Sequence, residues 1–400
     1  MQSDPALSSI DDAAAAADGG KWSIAIDCIH HLPLDRIAGN DRVLDIALQI
    51  LAEGDFEDRW QIAKIVPRLG EIAIQPLLDI VNDPDIDLED RWFGARILGE
   101  FDSTAARPQI VTALVELICQ HQDPELTAIA TGALAKIGVP AIAALTDLFT
   151  TPDRGMAVAI LAQIRHSQTI EPLLQVIDDA DPQIRTLAVE ALGSFHDARI
   201  PPILLTKLAD VAASVRKAAV VGLSLRSDLT VELNLLQHLR PLLFDLNFAV
   251  CEATALGLAR FPDPDVVSVL TELLTAPHTP NDLKSPAILA LSWIGTRQAI
   301  DSLFTALRDT CMYLAPEILM GIGKTAQERV YASQMLVSYL HSQRDVSQPH
   351  SAIVKQEIAA ALGNLGNIDT VPDLLDLLTD PDDRVKLYTI AAISKLSPTI

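Results

Sequence analysis

One tetrapeptide occurs twice, as Glu57-Asp58-Arg59-Trp60 and as Glu89-Asp90-Arg91-Trp92, 32 residues apart. Each copy sets a cation beside a large flat π-surface. A guanidinium takes a carboxylate through two parallel hydrogen bonds, and an indole stacks on planar groups and cations. Arg59, Trp60, Arg91 and Trp92 are therefore candidate ligand- or partner-binding residues. They suit a planar anionic ligand, or a protein surface, where Trp and Arg dominate binding hot spots. The same residues equally suit a structural role, with the indoles packed between helices and the arginines in a ladder of charge.

Cys28, His30 and His31 form the densest cluster of metal-ligand types in the sequence. Adjacent helical histidines point about 100° apart, and a structural zinc site needs four ligands. No fourth is near in sequence, so these three are the weakest candidates and no metal is expected. Gly321-Ile322-Gly323-Lys324-Thr325 looks like the end of a phosphate-binding loop. However, Ile318 stands where such a loop needs its first glycine, and no strand precedes it. The four cysteines, Cys28, Cys119, Cys251 and Cys311, are far apart and form no C-x-x-C pair. They are expected to be free thiols in a reducing compartment, with Cys119 and Cys251 in the core. No catalytic residue is assigned, because no nucleophile, base and orienting group can be brought together from these spacings.

The elements that must carry these residues are repeats. Leu98-Gly99-Glu100-Phe101, Leu192-Gly193-Ser194-Phe195, Leu291-Ser292-Trp293-Ile294 and Leu362-Gly363-Asn364-Leu365 each close an apolar run with helical spacing. The last apolar residue of each run gives a series of anchors: Leu69, Phe101, Ile137, Ile164, Phe195, Leu225, Phe261, Ile294, Ile322, Leu365 and Leu396. From Leu69 to Leu396 is 327 residues in ten steps, a mean near 33. That length holds two helices and two turns, and no alternating strand pattern competes. The unit is clearest at 181–210. Asp181-Pro182 is a helix start, Ile184, Leu187, Ala188, Ala191 and Leu192 share one face, and Ile200-Pro201-Pro202 opens a second helix.

A charge period runs with the apolar one. Arg59, Arg91, Arg154, Arg185, Lys284, Lys355 and Lys386 stand ten residues before their anchors. Asp55, Asp87, Asp181 and Asp382 stand four residues earlier still. The spacing predicts an Asp cap with a basic residue one turn in that reaches back to it.

The pattern Asp-Pro-x-x-Arg-x-x-Ala-x-x-Ala-Leu-Gly, read from Asp181 to Gly193, resembles the short HEAT-like repeat of the phycobilisome-lyase type. The resemblance covers roughly residues 55–400. It implies an all-α solenoid of about eleven helix-pair repeats with an irregular N-terminal cap. It is a repeat found in the cyanobacterial E/F-type bilin lyases, which attach, isomerise or remove linear tetrapyrroles on phycobiliproteins or act as their chaperones. A transient bilin, phycobiliprotein subunits and a heterodimeric assembly would follow, with Arg59 and Arg91 for the propionates and Trp60 and Trp92 for the rings. The chain is also similar to a cyanobacterial HEAT protein that partners the A-type iron–sulfur scaffold, which implies a non-enzymatic adaptor and gives weight to Cys28, His30 and His31. A general protein scaffold is the third reading. One HEAT-repeat enzyme family, deoxyhypusine hydroxylase, binds iron through His-Glu pairs. None of the nine histidines here precedes Glu, and the nearest match is His196-Asp197.

Composition narrows the partners. Fifty-three acidic residues against thirty basic ones give a net charge of −23. Such a surface repels phosphate backbones and anionic membranes, so nucleic acid is not expected. No apolar run reaches the roughly 18 residues a spanning helix needs, and no signal peptide is expected, so a cytoplasmic protein is the reading. Residues 1–20, rich in Ser, Asp, Ala and Gly, are expected to be disordered, with a single solenoid over 21–400. Within it, 21–55 is an atypical cap holding helices near Trp22–Leu32 and Val43–Leu51. Residues 56–400 are the repeats, with a loop insertion near 341–351.

Overall fold

The computed structural model describes residues 10–33, 37–102, 105–120, 123–261, 263–309, 313–342 and 351–396. Every regular element among them is an α- or 3-10 helix. Eleven of the helices open the repeats, beginning at Phe56, Leu88, Pro124, Arg154, Pro182, Ala213, Phe248, Asn281, Ala315, Ser351 and Asp383. The first ten are each followed by a second helix, such as Ile74–Asn82 or Asp265–Thr275. Short polar residues mark many of the starts. Asp55 accepts from the Asp58 amide, Asp87 from Glu89, Asp123 from Glu125 and Leu126, and Asn247 from Ala249. Such a cap is worth about 1 kcal/mol.

The chain divides into two compact units between Leu192 and Gly193, where one solenoid is expected. Repeats bury their apolar faces only against neighbours, so no core is common to the whole length. In the first unit the helices Phe56–Ala63, Leu88–Leu98, Pro124–Ile137 and Arg154–Gln163 pack each on the next. In the second the series runs from Ala213–Ser224 through Phe248–Leu258, Asn281–Ile294, Ala315–Gly323 and Ser351–Leu365 to Asp383–Leu396. Leu98, Leu223, Leu258, Leu291, Ile322 and Leu362 are fully buried between them. Each such side chain contributes about 1.5–3 kcal/mol.

The expected N-terminal disorder does not extend to residue 10. Ile10–Asp18 is a helix that packs on Trp22–His30, with Ala13, Ala16 and Ala17 buried. The Asp and Ala content that suggested disorder is here an i, i+3, i+4 alanine face on the best of helix formers. The cap is completed by Asp41–Glu53. Of the loop insertion expected near 341–351, residues 343–350 lie outside the described residues. His341 and Ser342 end one helix and Ser351 begins the next. In the helix Val371–Leu377, Leu374 and Leu377 are buried and Leu375 is exposed.

The glycines near the ends of first helices have a steric cause. A Cβ placed on Gly323 would sit 2.7 Å from Ala361 Cα, and one on Gly363 would sit 2.8 Å from Ala392 Cα. On Gly99 it would meet Ala133 Cβ at 2.8 Å, and on Gly193 the Cα of Gly222 at 2.9 Å. Successive first helices thus cross at backbone contact, and the smallest residues stand at the crossings.

Arg59, Arg154, Arg216 and Lys355 reach acceptors beyond their own cap. Arg59 donates from Nε to the Gly54 carbonyl and from Nη2 to that of Ala52, and it pairs with Asp90 of the next repeat at 2.8 Å. Arg154 pairs forward with Asp179, and Lys355 with Asp380. Arg216 donates to the Asp210 and Val211 carbonyls, and through two bonds of 2.7 Å to Asp245. The long side chain spans the connection between repeats, because the carbonyls ending the preceding turn are orphan acceptors.

Two outcomes follow. Gly323→Ala would gain up to about 1 kcal/mol in an ordinary helix. Here the added methyl meets backbone, and overpacking costs about 1–3 kcal/mol. Denaturant unfolding is expected at a lower midpoint, and an unchanged or higher midpoint would refute the crossing. The hydrogen bonds from Arg216 hold the Asp245 carboxyl below the usual carboxylate range. Its contribution to stability is complete above the unfolded value of about 3.9 and is lost as pH falls through the lower folded value. Asp245→Asn should remove that part of the acid dependence. A stability curve below pH ~4 as steep as the parent's would show the pair to be inert.

Candidate functional site

The structure brings the two tetrapeptides together through their charged side chains. Each opens the first turn of a repeat's first helix. Arg59 bridges to Glu89 at 3.2 Å and Asp90 at 2.8 Å in the second copy. Burial raises the Asp90 carboxyl and Arg59 opposes the rise. Arg91 is only 2% exposed. Its Nε donates to the Val81 carbonyl at 3.1 Å. Both guanidinium groups are thus engaged inside the fold, as in the ladder reading of the sequence. The Trp60 ring stacks on Phe56 at 5.9 Å between centroids and carries the Arg96 guanidinium at 3.8 Å. Trp92 is half-buried, edge-on to Phe93. It lines a groove of about 440 Å³ with Phe56, Leu88 and Leu126.

Cys28 faces the core, whereas His30 and His31 are exposed, and His31 Nδ1 lies 2.7 Å from the Asp27 carbonyl oxygen. Among the described residues no three His, Cys, Asp or Glu side chains gather where they could hold a metal. Burial pushes the thiols up, Cys119 to about 11 and Cys28 and Cys251 in the same direction. A thiol so raised is a poor nucleophile at neutral pH. Cys251 is buried and Cys119 half-buried, and Cys311 lies outside the described residues. Gly321-Ile322-Gly323 ends a helix, with Lys324 as its C-cap.

The exposed apolar surface of the second unit is a feature not singled out from the sequence. Val221 and Leu225 of one repeat, Leu256 of the next, Leu289 and Trp293 of the third and Met320 of the fourth line two neighbouring grooves of about 380 and 270 Å³. The grooves share Glu252 and Leu256. Trp293 is 53% exposed, and the Arg260 guanidinium lines the same groove. Here are the exposed cation and free indole that the tetrapeptides lack. One signal in the sequence marks them. The residue just before each anchor is Arg68, Glu100, Lys136, Gln163, Ser194, Ser224, Arg260, Gly321, Asn364 or Lys395, and only the Ile294 repeat has an aromatic there, Trp293.

Stacked helix pairs with small residues at the crossings and a forward ladder of Arg–Asp contacts define an α-solenoid. Models of HEAT repeats match residues 74–156, 152–224 and 235–315, more than half of the chain, and the PBS lyase HEAT-like repeat matches 354–380. The chain belongs to the HEAT-repeat family. No curated protein matches the sequence. Among solved structures, Kap95p bound to RanGDP is 15% identical, with a TM-score of 0.61 over 89% of this chain and 55% of that one. Kap121p is 14% identical, with a TM-score of 0.56 over 100% of this chain and 52% of that one. The chain therefore spans about half the length of these karyopherins, and the likeness shows the fold. Human deoxyhypusine hydroxylase is 20% identical over 74% of this chain and 98% of its own, at a TM-score of 0.29.

No single helix is long and apolar enough to cross a membrane. The engaged arginines give a direct test. Arg91→Ala leaves the Val81 carbonyl without this donor and opens a cavity, for a loss of about 2–3 kcal/mol. Thermal unfolding unchanged from the parent would place Arg91 outside the fold's support and return it to the ligand-binding reading.

Proposed function

We propose that this chain is a protein-binding solenoid that grips its partner with the face around Trp293. The observation that carries the reading is the run of exposed apolar side chains on successive first helices, centred on an indole that the repeat does not need. A fold that already buries its repeat leucines does not require an exposed Trp, whereas binding hot spots are enriched in Trp and Arg. Kap95p and Kap121p are solenoids of this fold, and Kap95p is known in complex with RanGDP.

Trp293→Ala and Arg260→Ala test the reading. Proteins cross-linked to the parent chain in its source extract should be recovered at least tenfold less with either variant, since hot-spot truncation costs about 2 kcal/mol or more. Recovery of the same proteins in the same yield would refute the assignment, provided circular dichroism shows both variants folded.

A second reading makes that partner a phycobiliprotein and the chain a lyase subunit or chaperone for it. The PBS lyase HEAT-like repeat at 354–380 favours it. Arg260 and Trp293 would then meet a propionate and a ring of the bilin, in place of Arg59, Trp60, Arg91 and Trp92. Holding a linear tetrapyrrole beside its acceptor is catalysis by proximity. Incubating phycocyanobilin with the purified chain should shift its absorbance, and Trp293→Ala should abolish the shift. A spectrum identical to free bilin would remove this reading and leave the first intact. The iron–sulfur adaptor reading has no comparable support, since its thiol, Cys28, is buried.

A further inference from the structure

The groove beside Trp92 in the first unit has a different character from the Trp293 face. Its apolar lining is Phe56, Leu88, Trp92 and Leu126. Leu126 is buried, while Phe56 is 56% and Leu88 51% exposed. The remaining lining side chains are Asp87, Glu89, Asp123 and Glu125, with no cation among them. Asp87 and Asp123 each use Oδ1 to accept cap amides, from Glu89 and from Glu125 and Leu126. Glu89 shares Arg59 with Asp90. Asp87, Asp123 and Glu125 have no ion-pair partner among the described residues.

We infer that this groove binds a short basic segment of a partner protein, in which Lys or Arg side chains alternate with an aliphatic one. The chemistry matches on both counts. Lys and Arg lay their methylene stems along apolar surface and carry the charge at the tip. In this groove the stems would lie on Phe56, Leu88 and Trp92, and the tips would reach the three unpaired carboxylates. An indole face also attracts a cation directly. The volume of about 440 Å³ admits a few side chains and not a domain. The occupant is therefore an extended segment, not a globular surface. An acidic or neutral segment would bury these carboxylates without compensation, which is costly.

The site lies in the unit ending at Leu192, so its failure leaves the Trp293 reading untouched. The test uses the full chain and a fluorescent nine-residue peptide of Lys and Arg with two Leu. Its partner probe carries Glu at every basic position. Anisotropy at ~0.15 M salt should show binding of the basic peptide and none of the acidic one. Asp87→Asn with Asp123→Asn and Glu125→Gln keeps acceptors for the cap amides and removes three charges. This triple variant should weaken binding at least tenfold, and Leu88→Ala should weaken it severalfold. Because an acidic protein attracts any polycation, a control neutralises three exposed carboxylates of the second unit, as Glu232→Gln, Asp282→Asn and Asp369→Asn. It should weaken binding less than twofold. Equal losses in both triple variants, unchanged binding in the first, or binding of the acidic peptide would each overturn the proposal.

Discussion

Successive first helices in this protein meet at backbone distance, and much else depends on that approach. Where Gly323 faces Ala361, or Gly363 faces Ala392, there is no room for a side chain between the helices. Dispersion falls off steeply with separation, so a crossing this close gains contacts along the length of both helices. Larger residues on either side, such as Leu291 and Leu362, then fill the spaces that the crossing leaves. The spacing of the repeat, the direction of the connections and the reach required of the basic residues all follow from it.

The ladder of charge is the second consequence. With helices so close, the turn between repeats is short, and its carbonyls lie within reach of one long side chain. Arg59 and Arg216 donate to such carbonyls, and Arg59, Arg154, Arg216 and Lys355 each meet an acid close to the start of the next first helix. Exposed pairs would contribute little. Arg216 and Asp245 are largely shielded from solvent and joined by two parallel bonds from the Nε and Nη2 edge of the guanidinium, which places that pair among the stronger ones. The cations most regular in the sequence are thereby spent on architecture, and the free ones, such as Arg260, are out of phase with the ladder.

The period itself was legible in the residues. Anchors such as Phe101, Ile294 and Leu365 recur at about one repeat because each closes a buried helical face, and burial is a local pattern. The roles of the arginines were harder to read. Arg59 and Arg91 share a tetrapeptide and both donate to carbonyls upstream, yet one reaches forward to two acids of the next repeat and the other to the Gln120 amide oxygen. Only the packed structure decides which acceptor is near. The helix Ile10–Asp18 is not legible in the sequence, because alanine is equally at home in a disordered tail and in a tight helix contact. Trp293 is hard to read for the opposite reason. It conforms to the helix and departs only from its own column in the repeats.

The forward contacts also bear on how the protein is made. Arg154 meets Asp179 across 25 residues, Arg216 meets Asp245 across 29, and Arg59 meets Asp90 across 31. Every one of these bonds closes a loop of about one repeat, so the chain entropy lost in forming it is small and nearly the same each time. Low contact order of this kind goes with fast folding. During synthesis, a repeat can settle on its predecessor as soon as it has emerged, without waiting for distant sequence. The partner that completes each step is always the segment just made, so little apolar surface is left uncovered for long while the chain is still growing.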